Sequence, residues 1–234
     1  MDGIFERTEQ ILGKDGLSAL QKATVAVVGL GGVGSFAAMA LARSGVGHLI
    51  LVDYDTADPS NMNRQLPARA DTLGRYKTEV LKEDFASAAP DCRVDMITAF
   101  ATEENLGEIF AQPVDYIVDA IDSIGSKISL LLYAWDHHIP IVSAMGAGNK
   151  LDPSRLKISD IFKTEVCPLA KIIRTRMKKA GVKKLTVAWS DELPTESEPG
   201  IIGSMVFVPG AMGLLLASRV TKALCGLCPT DYMK

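Results

Sequence analysis

The chain has 234 residues, of which 47% are apolar, and a formal net charge of -3 at pH 7. This length and composition fit one α/β domain with a sizeable core and leave too little chain for two independent domains. The small net charge excludes a global attraction to nucleic acid or to anionic membranes, so any basic binding surface must be local.

Apolar runs of strand length alternate with longer segments of helical period up to Gly148. This alternation is typical of βαβ units that build a mostly parallel sheet. The sequence predicts strands at residues 24–29, 48–53, 93–97, 115–119 and 140–143. Helices are predicted between them at residues 33–44, 74–89, 102–110 and 124–137, each bounded by Gly, Pro, Asp, Ser or Thr. We therefore expect a Rossmann-like α/β fold in which helices flank the sheet.

Beyond Gly148 the alternation weakens, which predicts a small C-terminal α+β extension. A short strand is predicted at residues 156–160, and a helix at 168–180, with Pro168 at its first position and Gly181 just past its end. The polar, proline-bearing residues 190–200 predict a mobile loop. We expect a nucleotide-binding core at about residues 20–148 and a substrate-side extension at about 149–234.

The last long apolar segment, residues 201–218, carries no charge and has the length of a membrane span. Pro209 and three glycines divide it, and Arg219 closes it. The segment therefore predicts a buried strand followed by a buried helix, with no stable membrane insertion.

The N-terminus and the cysteines indicate a reducing compartment. The first ten residues, MDGIFERTEQ, are charged and lack the apolar core of a signal peptide. The four cysteines, at positions 92, 167, 225 and 228, resemble neither a dense disulfide framework nor a complete zinc site. We therefore expect a cytoplasmic protein.

A glycine-rich turn follows the first predicted strand and opens a helix. Its glycines, which let the backbone turn sharply and approach a phosphate closely, are Gly29, Gly31, Gly32 and Gly34. Asp53, at the end of the second strand, is placed to accept hydrogen bonds from ribose hydroxyls. These features predict a nucleotide site, and at this point a dinucleotide-dependent dehydrogenase fits as well as an ATP-using enzyme.

Polar residues beyond this turn favour transfer of a nucleotidyl group. Arg64 and Lys77 are suited to neutralising a leaving pyrophosphate, which hydride transfer does not require. Asp122 follows a strand and could hold Mg²⁺ together with the nucleotide phosphates. We therefore predict Arg64, Lys77 and Asp122 as catalytic residues, with ATP and Mg²⁺ as cofactors.

The order of these segments resembles the ubiquitin-activating, or ThiF-like, superfamily, whose bacterial members include adenylating enzymes of thiamine and molybdopterin synthesis. The resemblance implies a single adenylating domain over residues 1–234 and a homodimer. In relatives, an arginine of the leading helix enters the partner's ATP site. Arg7 is the candidate for it in this chain, and an ordinary charge on the helix surface is the alternative. Besides the four glycines and Asp53, the resemblance assigns to the nucleotide site Asn61, Asn63, Arg64, Lys77, Asp122 and Ser123.

Protein-modifier adenylating enzymes of this superfamily commonly bind a structural zinc through two C-x-x-C pairs. This chain has one such pair, Cys225 and Cys228, so we expect no zinc there.

Two further segments, residues 143–153 and 158–171, resemble one branch of the superfamily, the tRNA threonylcarbamoyladenosine dehydratases. The likeness spans about residues 5–224. It implies ATP-dependent adenylation of the threonyl carboxylate of a modified adenosine, followed by intramolecular closure of a hydantoin ring. Adenylation of the C-terminus of a small ubiquitin-like sulfur-carrier protein is the alternative, and a nucleotide-sensing module without turnover is a third hypothesis. The sequence points to no particular sulfur-transfer protein.

A basic stripe supports an RNA partner. Residues 171–184 hold seven basic side chains and no acid, which is typical of a contact with a phosphate backbone. In the alternative interpretation the stripe is a solvated helix face, with Ile172, Ile173 and Met177 packing inward. The candidate tRNA contacts are Lys171, Arg174, Arg176, Lys178, Lys179, Lys183 and Lys184.

Cys167 lies just before this stripe and could suggest a thioester carrier. Because an intramolecular ring closure needs no covalent carrier, we interpret Cys167 as a structural or neighbouring thiol.

Overall fold

The computed structural model describes residues 3–196, 198 and 201–233. Seven helices and seven strands are numbered in chain order. The helices are α1 Glu6–Lys22, α2 Gly34–Ser44, α3 Lys77–Ala88, α4 Leu106–Ile109, α5 Ile124–Asp136, α6 Pro168–Lys179 and α7 Phe207–Leu224. The strands are β1 Thr24–Val28, β2 His48–Val52, β3 Arg93–Ile97, β4 Tyr116–Asp119, β5 Ile141–Ala144, β6 Leu156–Asp160 and β7 Thr186–Ser190.

All seven strands form one sheet in the order β3-β2-β1-β4-β5-β7-β6. Every neighbouring pair is parallel except β6 and β7, which run antiparallel. The mostly parallel, Rossmann-like α/β fold predicted from the sequence is therefore confirmed, and the extension adds β6 and β7 to one end of the sheet. The strand order reverses between β1 and β4, and ligands bind at such switch points in open α/β sheets.

The core occupies both faces of the sheet. Side chains alternate along a strand, so Val25 and Val27 of β1 belong to one apolar cluster, and Ala26 and Val28 belong to the other. Helices α2 and α7 cover the first face, while α5 and α6 cover the second. Burial on both faces explains why the central strands are almost continuously apolar in sequence.

The strand predicted at the start of residues 201–218 is wrong. Ile201 and Ile202 are 58% and 76% exposed. The backbone here pairs with a loop instead of the sheet, because Asn149 N donates to Gly203 O at 2.7 Å and Gly203 N donates to Asn149 Oδ1 at 2.5 Å. The place in the sheet is taken by β7, which the sequence analysis missed. The helix predicted in this segment is confirmed as α7.

The helix predicted at residues 102–110 is shorter than expected, because only Leu106–Ile109 is α-helical. The Asn105 side chain accepts a hydrogen bond from Thr102 N at 2.8 Å and donates one to Phe100 O at 2.9 Å. Such side-chain bonds to the local backbone favour turns over helix.

The segment predicted as a mobile loop begins where β7 ends at Ser190, and residues 197, 199 and 200 of it lie outside the described residues. No helix within the described part of the chain is both long enough and apolar enough to cross a membrane.

The C-terminal segment is fixed to the sheet by one buried acid, Asp231, which is 2% exposed. Arg219 donates to its carboxylate from Nε at 2.7 Å and from Nη2 at 2.5 Å. Thr186 at the start of β7 donates at 2.7 Å, and Tyr116 at the start of β4 donates as well. These bonds join α7, β4 and β7 at the end of the sheet opposite the carboxyl ends of its parallel strands.

Candidate active site

A cleft of about 770 Å³ opens at the carboxyl ends of the parallel strands. Residues that follow β1, β2, β4 and β5 line it, so it lies at the switch point of the sheet. One half is formed by the glycine-rich turn and the residues after β2. The other half is formed by residues 144–150, after β5, and by the first turn of α6.

Two glycines of the turn between β1 and α2 are required by its geometry. Gly29 has a φ of 88°, and a Cβ added there would lie 2.7 Å from Ala120 O. A Cβ added to Gly34 would lie 1.7 Å from Gly29 O. The tight turn brings Gly31, Gly32 and the start of α2 to the cleft, and a helix N-terminus with free N–H groups favours an anion.

Asp53 supports this turn and faces the cleft. Its Oδ2 accepts a hydrogen bond from Leu30 N at 2.6 Å, and its Oδ1 accepts one from Asp55 N at 2.8 Å. Burial raises the pKa of the Asp53 carboxyl, and the two backbone bonds act against that increase. Each carboxylate oxygen keeps further acceptor capacity, so the side chain can both hold the turn and accept from ribose hydroxyls.

Lys77, the first residue of α3, lines the cleft as a buried cation. Its side chain is 4% exposed, and its Nζ lies 2.5 Å from Asp55 Oδ2. Asp55 therefore positions the ammonium group and keeps its charge compensated within the fold. The sequence analysis did not assign a role to Asp55, although its place two residues after Asp53 was the available signal.

Arg64 is held beside the glycine-rich turn by local bonds. Its Nη1 donates to Ser60 O and to Asn63 Oδ1, both at 2.8 Å. A Cβ added to Gly32 would lie 3.3 Å from Arg64 Cγ, which shows how closely the two residues approach.

Three of the sequence-predicted nucleotide ligands stand apart from this cluster. Gly34, Asn63 and Ser123 are absent from the described residues that line the cleft. Asn63 orients Arg64 with its oxygen and donates from Nδ2 to Ser204 O at 2.8 Å. Ser123 lies at the N-terminal boundary of α5. Their direct contact with a nucleotide stays a prediction.

Two amide oxygens in the cleft lack partners. Asn61 Oδ1 and Gln65 Oε1 are buried and accept no hydrogen bond from any described residue. Buried polar atoms are nearly always hydrogen-bonded, so these two acceptors could receive a donor or a cation that enters the cleft. Gln65 has no role in the sequence analysis, although it follows Arg64 directly.

Asp122 lies at the junction of the two halves as an exposed carboxylate. Asp119, the last residue of β4, fixes the loop before Asp122, because its Oδ1 accepts from Ile121 N at 3.1 Å. Asp119 Oδ2 accepts from Lys127 Nζ at 2.6 Å and from Ser143 Oγ at 2.5 Å. This buried cluster fixes the position of the Asp122 loop relative to the sheet.

The half of the cleft that follows β5 contains Cys167 and Lys150. Cys167 is 5% exposed, and its sulfur accepts a long hydrogen bond from Ala170 N at 3.5 Å in the first turn of α6. Lys150 is 7% exposed, and its Nζ donates to the backbone oxygen of Glu192. The apolar side chains of Leu169 and Ile172 form the wall toward solvent.

The basic stripe runs along α6 away from the mouth of the cleft. Ile173 and Met177 are fully buried, whereas Ile172 is 40% exposed and lines the cleft, so it does not pack inward as the alternative interpretation expected. Arg174 donates from Nη1 to Thr164 O at 2.7 Å, which ties it to the fold. The stripe residues that are exposed are Lys171, Arg176, Lys178, Lys179 and Lys183, and Lys184 is partly buried.

Comparisons with known proteins agree with this geometry. The model of the ThiF family matches residues 5–234. The chain is 42% identical over 238 residues to the tRNA threonylcarbamoyladenosine dehydratase of Bacillus subtilis, with 94% of each chain covered.

Solved structures of similar proteins carry nucleotides. The E. coli tRNA N6-threonylcarbamoyladenosine dehydratase in complex with AMP matches with a TM-score of 0.90 and 33% identity, covering 94% of this chain and 93% of that chain. The same enzyme in complex with ATP matches with a TM-score of 0.90 and 35% identity, covering 95% and 94%. Because the family model matches nearly the whole chain, the protein belongs to the ThiF family.

Proposed function

We propose that the protein is an ATP-dependent tRNA threonylcarbamoyladenosine dehydratase. The observation that carries this proposal is the similarity to the Bacillus subtilis enzyme over 94% of both chains. The cleft supports it, because one half has the features of a nucleotide site and the other half offers space for a second substrate.

In the first step, an oxygen of the threonyl carboxylate attacks the α-phosphorus of ATP, and pyrophosphate leaves. Arg64 and Lys77 offset the charge that develops on the leaving group. The backbone N–H groups of the glycine-rich turn donate to phosphate oxygens, the amide oxygens of Asn61 and Gln65 bind a donor or a cation that accompanies them, and Asp53 holds the ribose. Because these groups are fixed before ATP binds, little reorganisation is needed in the transition state.

In the second step, the adenine-linked nitrogen of the same modified nucleoside attacks the activated carbonyl carbon. That nitrogen loses its proton, and AMP leaves with one of the original carboxylate oxygens. The product is the hydantoin ring, and the substrate has formally lost water. The nitrogen and the activated carbonyl belong to one molecule. The protein therefore needs only to hold the threonylcarbamoyl group in a bent conformation that brings them together.

Mg²⁺ fits the site through Asp122. This carboxylate is exposed in the cleft and forms no ion pair with any described residue, and Mg²⁺ typically takes one or two carboxylates together with substrate phosphates. Bound there, the ion would reduce the negative charge on the phosphates.

The proposal extends to the oligomeric state of the protein and to its contact with tRNA. The whole chain acts as one adenylating domain in the cytoplasm, and two copies form a homodimer in which Arg7, exposed on α1, is the candidate to reach the partner's nucleotide. The exposed part of the α6 stripe contacts the tRNA backbone. The stripe starts at the mouth of the cleft, so phosphate contacts there are compatible with a modified base inside it.

Pyrophosphate release tests the proposed function. Purified protein and ATP are mixed with tRNA that carries threonylcarbamoyladenosine, with tRNA that lacks it, or with a small carrier protein that ends in Gly-Gly. Release that requires the modified tRNA supports the dehydratase. Release that requires the carrier protein supports the alternative, and nucleotide binding without release supports a sensing module.

A further inference from the structure

Three lysines are buried in the described part of the chain, and they differ in how their charge is balanced. Lys77 is paired with Asp55 at 2.5 Å, and Lys127 is paired with Asp119 at 2.6 Å. Lys150 is 7% exposed and forms no ion pair within 4.0 Å with any described acid. Its Nζ instead donates to the backbone oxygen of Glu192.

The carboxylate of Glu192 already accepts two backbone hydrogen bonds. Glu192 Oε1 accepts from Leu151 N at 2.9 Å, and Glu192 Oε2 accepts from Asp152 N at 3.0 Å. The carboxylate of Glu192 therefore holds the backbone that follows Lys150. Its backbone carbonyl accepts from the Lys150 ammonium. An ammonium has three N–H donors, so this arrangement fixes the Lys150 side chain and leaves donors for a ligand.

A buried ammonium without a direct ion-pair partner is costly, and the charges of Glu192 and Asp191 act on Lys150 only without direct contact, so an anionic ligand that contacts it would stabilise it. Burial lowers the pKa of the Lys150 ammonium, as expected for a cation held away from water. Lys150 also lines the cleft, so an anion that enters the cleft can approach it. The chemistry of the site therefore calls for an anionic group from the bound substrates.

The position of Lys150 favours the second substrate over the nucleotide. Lys150 follows β5, whereas Asp53 and Arg64 follow β2, and β1 and β4 lie between those two strands. The residues around Lys150 in the cleft include Gly148 and Cys167, which belong to the half formed after β5. The phosphate chain of the nucleotide is already provided with cations, Arg64 and Lys77, in the other half of the cleft.

We infer that Lys150 forms a carboxylate subsite, in which its ammonium binds the threonyl carboxylate of the modified adenosine and presents one oxygen to the α-phosphorus. This inference rests on the proposed function and assigns the recognition of the acid group, which none of the nucleotide-site residues explains. Lys150 is fixed by Glu192 before the substrate arrives, so it selects a carboxylate over a neutral group of the same shape.

Binding of two RNA probes tests the subsite. One is an anticodon stem-loop with threonylcarbamoyladenosine, and the other is the same RNA with the threonyl carboxylate replaced by a primary carboxamide. Affinities are measured by fluorescence anisotropy in the presence of a non-hydrolysable ATP analogue. The wild type should prefer the carboxylate probe by roughly 10–100-fold, the range expected for hydrogen bonds to a charged group.

Lys150→Met should reduce this preference to about twofold or less, and Lys150→Arg should keep part of it. The exposed Lys82→Met is the matched control and should keep all of it. Lys150→Met should bind the ATP analogue as the wild type does, which shows that the variant is folded and that its nucleotide site is intact. Lys150→Gln is measured alongside as a second neutral variant.

The outcomes separate the subsite from the proposed function. If the wild type binds neither RNA while it binds the ATP analogue, the proposed function and the subsite both fail. If the wild type binds both probes equally, or if both neutral variants keep the preference, the subsite alone is refuted. Loss of affinity for the ATP analogue with an unchanged preference between the RNAs would place Lys150 at a phosphate and also refute it.

Discussion

The ammonium group of Lys127 lies 2.6 Å from Asp119 Oδ2, and both side chains are fully buried beneath the loop that carries Asp122. Ser143 donates to the same carboxylate oxygen at 2.5 Å. Removing one member of a buried ion pair leaves the other charge uncompensated, which is far more damaging than removing both. The pair therefore has consequences for stability and for the geometry of the cleft.

Lys127→Met should lower the free energy of unfolding by about 3–5 kcal/mol, because it leaves the Asp119 carboxylate buried without its cation. Urea denaturation followed by circular dichroism measures this change. The double variant Asp119→Leu with Lys127→Leu should recover most of the loss. A single variant as stable as the wild type would show that the pair is unimportant for the fold.

Arg64→Ala and Asp122→Ala should each reduce turnover by roughly 10²–10³-fold while leaving the fold intact, because each removes a charge that acts on the reacting phosphates. Pyrophosphate release in the presence of modified tRNA is the measurement, and circular dichroism checks the fold. Arg43→Ala, an exposed arginine at the end of α2, is the control. Normal turnover in both site variants would remove the proposed mechanism.

Two glycine variants should differ sharply in stability. Gly34→Ala places a Cβ 1.7 Å from Gly29 O and should cost more than the roughly 1–3 kcal/mol usual for overpacking, because a backbone atom cannot move aside. Gly31→Ala meets its first neighbour, Gln65 Nε2, at 3.7 Å and should change stability by less than about 1 kcal/mol. Chemical denaturation compares them. Equal stability of the two would contradict the close approach within the turn.

Asp231→Asn should destabilise the protein by about 2–4 kcal/mol, because it weakens a buried carboxylate that accepts from Arg219, Thr186 and Tyr116. Thermal unfolding measures the effect, with the exposed Asp136→Asn as the control. The two variants should separate clearly in melting temperature. If Asp231→Asn melts at the same temperature as Asp136→Asn, the C-terminal segment contributes little to the stability of the fold.

Lys178→Glu combined with Lys179→Glu should weaken binding of tRNA and flatten the dependence of log affinity on log salt, because phosphate contacts release counterions. The slope should decrease by about 1–2 units for two lost contacts. Binding is measured over a salt series, and Lys82→Glu serves as the control on another helix. An unchanged slope would show that this face of α6 does not contact RNA.

Local patterns in the sequence were sufficient for the nucleotide half of the cleft. Gly29 and Asp53 directly follow strands β1 and β2, and Gly34 begins α2, so the topology of an α/β sheet fixes their neighbourhood. Strand β1 was identifiable because the central strands of a parallel sheet are apolar on both faces. The turn and the place of Asp53 were therefore predictable.

Contacts between distant segments were not predictable in this way. Asp55 forms an ion pair with Lys77, 22 residues away, and Lys150 donates to the backbone oxygen of Glu192, 42 residues away. No periodicity of the sequence predicts such contacts. Strand β7 was missed because its five residues follow a basic stripe and precede a polar loop, while the more apolar Ile201 and Ile202 attracted the strand prediction. The sheet selects between such segments through tertiary contacts.

Transfer of a heavy-oxygen label from the substrate tests most directly whether the protein adenylates the threonyl carboxylate. Modified tRNA is prepared with oxygen-18 in the threonyl carboxylate, and the nucleotide products are analysed by mass spectrometry. We predict that AMP carries one labelled oxygen and that pyrophosphate carries none. AMP without label, or ADP and labelled phosphate, would contradict the central claim.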